Sequence, residues 1–332
     1  MKIAAQFMPG ELSVYLDSVR KAEEAGFARI YLVDGQLLWR NVFVYMTHGL
    51  AATESIPFGT AVTNPRTRHY TVLANTHATL EELHPGRVIL GIGRGDNAVR
   101  TLGGDPVPTQ RLKEIIPRLR ELMAGETIHD EVDLAIGWAN QPDVPILMPA
   151  TGPRNLKLAG ALADIVMIQV GVNPVSVRWA TDLVREGAEQ AGRNPEDVEI
   201  TMYTSIWVSE DIDEARGMNR WAAACAANHI EHTVKSNPKH GMPEELTRIL
   251  EVKPEEYDYA GHLDPSVDRS EYPADIVDDF GIHGSPAQCI ETIQALADAG
   301  VDEIAPAYLN GRFEQMDRIS REIIPAFAGS PA

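Results

Sequence analysis

The residues best suited to chemistry lie in a short glycine-rich segment, Gly91-Ile92-Gly93-Arg94-Gly95-Asp96. Its alternate glycines would let the backbone approach a ligand closely, because no Cβ stands in the way. Arg94 offers a positive charge to an anionic group. Asp96 offers a carboxylate that can move a proton if partial burial raises its pKa, or it can cap a helix that begins near Ala98. The sequence is compatible with both interpretations of Asp96.

A second polar segment, Ala150-Thr151-Gly152-Pro153-Arg154-Asn155, follows an apolar stretch and precedes a helical pattern. Proline suits the first turn of a helix, and the free amides at that end can hold a phosphate group. Arg154 would add positive charge there. An ordinary strand–helix turn with a solvated Arg154 is the alternative. A third polar segment, Asn64–His69, offers two more arginines and a histidine.

The elements that must position these segments are apolar stretches separated by amphipathic helical patterns, which predict a (β/α)8 barrel. In such a barrel the segments after the strands share one rim, where ligands bind. A doubly wound sheet is less suitable, because the turn after the first stretch, Met8-Pro9-Gly10, lacks a G-x-G-x-x-G motif. The predicted strands are 2–8, 29–33, 57–63, 87–92, 145–149, 164–169, 198–208 and 302–308.

We expect a single domain over residues 1–332, with insertions at 125–144 and 228–275. The second insertion is polar and aromatic, and its length is typical of a lid over a substrate pocket. Tyr257, Tyr259 and Tyr272 would line the entrance. Its histidines (His229, His232 and His240) have a spacing that fits no common closed metal site, so we expect a partly helical, solvated lid without a metal.

Composition excludes several classes of partner. The 332-residue chain carries 29 basic and 48 acidic residues, so its net charge is −19. Such a charge argues against nucleic acid and anionic membrane surfaces, and it requires local cations for any anionic ligand. No signal peptide or membrane-spanning stretch is visible. The two cysteines, Cys225 and Cys289, are expected to be buried free thiols, which is typical of a cytoplasmic protein.

Jointly, these motifs resemble the bacterial luciferase-like family of barrel oxidoreductases, whose members use FMN or the deazaflavin coenzyme F420. The resemblance covers residues 1 to about 327, and single motifs within it are weak. The matching segments are Ala22–Phe27, Asp34, Gly59–Pro65, Leu83–Arg87, Gly91–Asp96, Ala150–Arg154 and Gly284–Pro286.

The resemblance implies cofactor contacts on four strand ends. Thr151 and Gly152 match positions that contact a phosphate, and Arg94 matches an arginine that does so in luciferases proper. Ala61-Val62 matches a cis peptide bond behind the central ring of the cofactor. The full set of implied cofactor-binding residues is Ala61, Val62, Thr63, Asn64, Arg94, Gly95, Thr151, Gly152, Arg154, Gln169, Val170 and Gly171.

Asp96, Asp34 and Gln36 are the implied catalytic residues. Asp96 matches an acidic position of the F420-using branches, whereas the histidine that often follows the acid after the second strand is replaced by Gly35. The resemblance therefore implies an F420-dependent oxidoreductase, expected as a homodimer, that transfers a hydride to or from a small organic substrate. An FMN-dependent monooxygenase supplied by a separate reductase is the alternative, and a cofactor-free ligand-binding barrel is a third possibility.

Overall fold

Parallel strands close into a barrel in the computed structural model, which describes residues 1–239, 241–255, 261, 266–307 and 309–328. The first strand is interrupted at Ala4 and pairs on one side with the second strand and on the other with the last, which closes the sheet. The barrel strands are β1 (Lys2–Ile3 and Ala5–Phe7), β2 (Ile30–Leu32), β3 (Phe58–Thr60), β4 (Val88–Gly91), β5 (Ile146–Ala150), β6 (Ile165–Ile168), β7 (Glu199–Thr204) and β8 (Glu303–Pro306). The predicted (β/α)8 barrel is thereby confirmed.

Helices surround the sheet and connect successive strands. Side-chain caps begin several of them: Asn41, Asn173 and Asp211 accept backbone amides of the first turn, and Ser285 forms a capping box with Gln288. The helices are α1 (Leu12–Glu24), α2 (Val42–Ala52), α3 (Tyr70–Leu83), α4 (Asn97–Arg100), α5 (Thr109–Met123), α6 (Pro153–Leu162), α7 (Pro174–Gln190), α8 (Ile212–Ser236), α9 (Glu244–Thr247), α10 (Ala274–Asp278), α11 (Pro286–Asp298), α12 (Phe313–Arg318) and α13 (Ile324–Phe327). Short 3-10 turns cover Pro195–Asp197 and Arg248–Glu251, and a π-helical turn covers Ile319–Ile323.

The core has two layers, because strand side chains alternate between the barrel interior and the surrounding helices. The larger layer lies between strands and helices, where the apolar faces of the helices are buried. The interior cluster takes side chains from most of the strands and is bordered by Ala61, Val62 and Tyr203. Its buried members are Ala4, Tyr31, Ile89, Leu147, Ile165, Met167 and Ala305.

An Ala-Gly pair precedes three of the predicted strands, at Gly26, Gly160 and Gly300, and the sequence pattern predicts that each glycine ends a helix; two of the three do so. Gly26 and Gly300 adopt positive φ angles of 81° and 94° after α1 and α11. The third glycine, Gly160, lies inside α6 instead. A Cβ on Gly160 would be 1.9 Å from the carbonyl oxygen of Val184, so this glycine allows α6 and α7 to pack closely rather than ending a helix.

The seventh predicted strand, 198–208, is divided at Ser205. Residues Glu199–Thr204 stay in the barrel, whereas Ile206–Val208 pair in parallel with Ile282–Gly284, a strand that the sequence analysis missed. The predicted insertion 125–144 contains an antiparallel pair, Ile128–His129 with Asp133–Leu134. Cys225 and Cys289 are both buried and free, as expected.

The second predicted insertion begins later than expected, because α8 continues without interruption to Ser236 and so includes residues 228–236. Tyr257, Tyr259 and His240 lie outside the described residues, whereas Tyr272 is buried. No helix in the described part of the chain is long and apolar enough to cross a membrane.

Candidate active site

Asp34 follows β2 and binds two side chains on the neighbouring rim segment. Its Oδ2 accepts a hydrogen bond from the Thr63 hydroxyl at 2.8 Å, and its two oxygens accept from the Arg68 guanidinium, Oδ1 at 3.1 Å. The Asp34 side chain is only 2% exposed. Arg68 is further held over the Phe43 ring, 5.0 Å from its centroid. Asp34 therefore fixes the end of β2 to the segment after β3, and its catalytic role stays a prediction.

The end of β3 has the irregular shape that the resemblance implied. The Ala61-Val62 peptide bond is cis, and both residues are half-buried at the mouth. The strand pairing resumes at Thr63, which bridges to Ile92. Asn64 is 1% exposed, and its Oδ1 accepts from the backbone amides of the following turn. Its Nδ2 has no hydrogen-bond partner among the described residues, so a buried donor there is available to a ligand.

The glycines of the 91–96 segment are required by protein contacts. A Cβ on Gly91 would be 1.7 Å from the Thr60 carbonyl oxygen, and one on Gly93 would be 2.9 Å from Val62 Cγ2. Gly95 has a φ of 81°, and a Cβ there would be 2.6 Å from Val99. From the sequence, these glycines were expected to leave space for a ligand. In the structure, Gly91 and Gly93 leave space for the irregular end of β3.

Two arginines, Arg94 and Arg154, lie on the rim after β4 and β5. Arg94 is half-buried, and its Nε donates to the Val107 carbonyl at 2.7 Å. Burial and the neighbouring charges of Arg100 and Arg154 lower the pKa of Arg94, against the opposite effect of Asp96. Within the described residues, neither Arg94 nor Arg154 forms a salt bridge. The two guanidinium groups are therefore available to an anion.

The predicted phosphate turn has the expected backbone, and it also has a protein neighbour. Thr151 and Gly152 precede α6, Pro153 occupies its first turn, and no side chain caps it. Gly152 is buried, and a Cβ there would be 2.6 Å from Thr233 Cγ2 on α8. Gly152 therefore also allows α8 to approach the turn, so replacing it would disturb packing as well as any ligand.

Asp96 occupies the N-cap position of α4, but its side chain forms no capping hydrogen bond with that helix. Its Oδ1 accepts from Arg100 Nε at 2.5 Å, and its Oδ2 lies 3.4 Å from Asn228 Nδ2 and 3.9 Å from His229 Nδ1. Burial alone would raise the pKa of Asp96, but His229, Arg100 and His232 together hold it below its usual value. The carboxyl is therefore ionised at neutral pH, contrary to the elevated pKa considered from the sequence.

A thiol–imidazole pair on α8, Cys225 and His229, was not predicted from the sequence. Gln169 Nε2 donates to the Cys225 sulfur at 3.1 Å, and the Tyr203 hydroxyl and the His229 ring also form hydrogen bonds with it. Burial lowers the pKa of His229, but the bond to Cys225 and the charge of Asp96 raise it to about 9. The spacing of four residues on one helix was the available signal.

The remaining predicted residues are distributed unevenly. Gln36 is exposed, and its Nε2 donates to the Ala98 carbonyl at 2.6 Å, so it holds α4 against the segment after β2. Of the three residues after β6, only Gln169 reaches the Cys225 sulfur. Val170 is 1% exposed within the core, and a Cβ on Gly171 would be 2.4 Å from the Asp279 carbonyl oxygen.

Comparisons with known proteins agree with this architecture. The 5,10-methylenetetrahydromethanopterin reductase of Methanolobus tindarius is 30% identical over 314 residues, which cover 92% of this chain and 93% of the relative. The F420-dependent glucose-6-phosphate dehydrogenase of Microbacterium testaceum is 34% identical over 254 residues, which cover 70% and 74%. The solved structure of the F420-dependent tetrahydromethanopterin reductase from Methanopyrus kandleri superposes with a TM-score of 0.79 at 24% identity, covering 98% and 99%.

The model of the luciferase-like monooxygenase family matches residues 4–303 of the chain. That range includes β2 to β7, the second part of β1 and every rim residue described above, and it ends at the first residue of β8. The predicted resemblance is thereby confirmed, and the chain belongs to the luciferase-like monooxygenase family.

Proposed function

We propose that this protein is an oxidoreductase that uses coenzyme F420 to transfer a hydride to or from a small organic substrate. The observation that carries the proposal is the pair of rim arginines, Arg94 and Arg154, which form no salt bridge among the described residues and lie near the start of α6. In a chain of net charge −19, such a site is suited to a phosphate-bearing cofactor. The relatives named for F420 support this choice over other phosphate ligands.

The residues present fit such a cofactor. The guanidinium groups and the free amides of α6 would bind its phosphate, and the unpartnered Nδ2 of Asn64 would donate to a carbonyl group. Ala61 and Val62 would support the ring at the mouth, with Thr63 held in place by Asp34. When bound, the cofactor supplies the hydride, while the protein orients it and manages protons.

A cavity of about 430 Å³ continues outward from this rim. Arg66 and Arg111 line it, and Val107, whose carbonyl binds Arg94, forms part of its wall. Arg111 pairs with Glu114 at 3.1 Å. We propose that the anionic tail of the cofactor occupies this cavity, since arginines bind carboxylates and phosphates well.

The substrate would enter over an apolar cluster at the same end of the barrel. Val33, Trp221 and Ala307 form it together with Cys225, and Trp39 packs against it. Such a lining suits a small organic molecule held mainly by apolar contacts. Because Asp96 is ionised, it would orient or accept rather than donate a proton at neutral pH.

The test replaces one cofactor-facing arginine. Arg154→Gln should weaken F420 binding about 10-fold or more, the scale of a lost charge-assisted hydrogen bond. Arg20→Gln is the matched control, because Arg20 is exposed and pairs with Asp17 at 3.5 Å. F420 fluorescence titration measures both. Equal F420 affinities in the two variants would show that Arg154 does not bind the cofactor phosphate.

An FMN-dependent monooxygenase supplied by a separate reductase is the second candidate. Its support is the resemblance at Arg94, which matches the position implied to contact the flavin phosphate in luciferases proper. An FMN phosphate would use the same arginines and the same helix end. Comparative binding of the two cofactors separates the candidates.

We further propose that the protein is a cytoplasmic homodimer. Val44 and Val72 are 54% and 52% exposed on α2 and α3. These two helices contact each other through Phe43 and His77, whose rings lie 5.4 Å apart. Exposed apolar side chains on adjacent helices support a protein interface there. Sedimentation of Val44→Lys against wild type tests the dimer.

A further inference from the structure

The strongest unassigned feature is the cluster around Cys225 and His229 at the mouth of the barrel. His229 lies one helical turn after Cys225 on α8, and its ring forms a hydrogen bond with the Cys225 sulfur. His229 Nδ1 is also 3.9 Å from Asp96 Oδ2. A thiol and a carboxylate therefore both adjoin the His229 imidazole, where α8 meets the segment after β4.

We propose that His229, held between Cys225 and Asp96, gives and takes the substrate proton in the reaction at the barrel mouth. This inference rests on the proposed oxidoreductase function. A reduction that adds a hydride to a substrate carbon also requires one proton on the adjoining oxygen or nitrogen. His229 would deliver that proton from its imidazolium ring, which becomes neutral, and the reverse reaction would return it.

The surroundings of His229 suit this role. Its side chain is 28% exposed, so the neutral ring can regain a proton from water. Cys225 is 1% exposed and belongs to the apolar cluster of the mouth, so the pair adjoins the proposed substrate pocket. At the end of β2, Asp34 is bound to Thr63 and Arg68, and the next residue, Gly35, has no side chain to carry a proton. His229 supplies an imidazole to the same rim from another element.

The sulfur of Cys225 is arranged as an acceptor. Gln169 donates to it from the end of β6 at 3.1 Å, and Tyr203 approaches from β7. In general, hydrogen bonds donated to a sulfur favour its charged form, whereas burial, here at 1% exposure, disfavours it. Cys225 and Asp96 are thus positioning residues that hold the imidazolium form of His229.

Charged and titratable groups face this pair from every side. Asp96 and Arg100 approach from the segment after β4 and from α4, and His232 lies on α8 itself. Tyr203 and Tyr272 complete the surroundings from β7 and from the segment before α10. Arg100 opposes the protonation of His229, whereas Asp96 favours it.

The first test needs no cofactor. In a Cys289→Ser background, the ultraviolet absorbance of the Cys225 thiolate near 240 nm is followed against pH, with Cys225→Ser as the blank. We expect the thiolate to form at a lower pH than in an ordinary thiol, whose pKa is about 8.5. His229→Gln should move the titration upward by at least one pH unit. If the Cys225 thiol titrates like an ordinary thiol in the parent protein, or at the same pH in His229→Gln, the proposed pairing of Cys225 with His229 is wrong.

The second test measures turnover and binding separately. His229→Gln should lower kcat by about 10²-fold or more, the scale of a lost general acid, while leaving the F420 dissociation constant unchanged. His129→Gln is the matched control, since His129 is 79% exposed on the hairpin after α5. The alkaline limb of the kcat profile should disappear in His229→Gln. Normal kcat in that variant contradicts the inference, whereas a wild-type protein that binds no F420 contradicts the proposed function instead.

Discussion

Val62 packs directly on Gly93: a Cβ on the glycine would lie 2.9 Å from Val62 Cγ2. Gly91, two residues earlier, leaves room for the Thr60 carbonyl in the same way. The glycine-rich segment after β4 and the irregular end of β3 are therefore two halves of one structure. The half-buried Val62 that results is the residue proposed to support the cofactor ring.

Gly93→Ala tests that relationship. The added methyl group would press on Val62 and on Pro149 Cγ, 3.0 Å away, and should displace Val62 towards the mouth. We expect F420 affinity to fall about 10-fold or more, with a loss of roughly 1–3 kcal/mol in the free energy of unfolding. Gly137→Ala is the control, because nothing lies within 4 Å of its Cβ position. Unchanged F420 affinity in Gly93→Ala would show that the position of Val62 does not matter for cofactor binding.

Gly152 and Thr233 should be energetically coupled. Gly152→Ala alone places a methyl group 2.6 Å from Thr233 Cγ2 and should destabilise the protein, whereas Thr233→Ala removes the opposing carbon. The double variant should recover at least half of the stability lost in Gly152→Ala, measured by chemical denaturation as a double-mutant cycle. Strict additivity of the two single changes would show that the turn and α8 do not contact each other in solution.

Asp34→Asn should act mainly on structure. The change leaves Arg68 without its carboxylate partner while an amide oxygen can still accept from Thr63, so we expect a loss of about 1–3 kcal/mol in unfolding free energy. Asp17→Asn, which breaks only an exposed pair with Arg20, should cost less than about 1 kcal/mol. Abolished turnover at unchanged stability would instead place Asp34 in the chemistry.

His77 should make the protein sensitive to acid. Its ring is fully buried on α3, its Nδ1 bonds to the Leu73 carbonyl at 2.8 Å, and burial lowers its pKa to about 4. Between pH 6.5 and 4 the unfolded chain binds a proton that the folded protein excludes, so stability falls as pH falls. The contribution reaches about 3 kcal/mol at pH 4.

Denaturant unfolding at pH 7 and pH 4 measures this effect. His77→Gln should remove most of the 3 kcal/mol difference between the two pH values, whatever its own cost at pH 7. His48→Gln, a change on the exposed part of α2, should retain it. A parallel loss of stability in wild type and His77→Gln would assign the acid sensitivity to other groups.

The barrel could be predicted from the sequence. Periodicity indicates the apolar strands and amphipathic helices, and Gly26 and Gly300 mark junctions between them. The sequence was insufficient where a glycine serves tertiary packing. Gly160 has the local pattern of a helix end, yet it lies inside α6, where it packs against the backbone of α7. Similarly, nothing local distinguishes Ser205, where the strand leaves the barrel and pairs with Ile282–Gly284 instead.

The candidate site was predicted in part for the same reason. The rim segments carrying Arg94, Asp96 and Thr151 follow strands and were therefore visible in the chain order. Cys225 and His229 were not, because α8 crosses the mouth from a distant part of the sequence and its polar end resembles a solvated lid. Their contacts with Gln169 and Asp96 depend on tertiary structure alone.

The most direct test of the account is the relative affinity of the purified protein for F420 and FMN. Both are titrated by fluorescence against the same preparation at the same ionic strength, because the phosphate contacts depend on salt. We expect F420 to bind at least about 10-fold more tightly than FMN, a difference of about 1.4 kcal/mol. Tighter binding of FMN, or no saturable binding of F420, would contradict it.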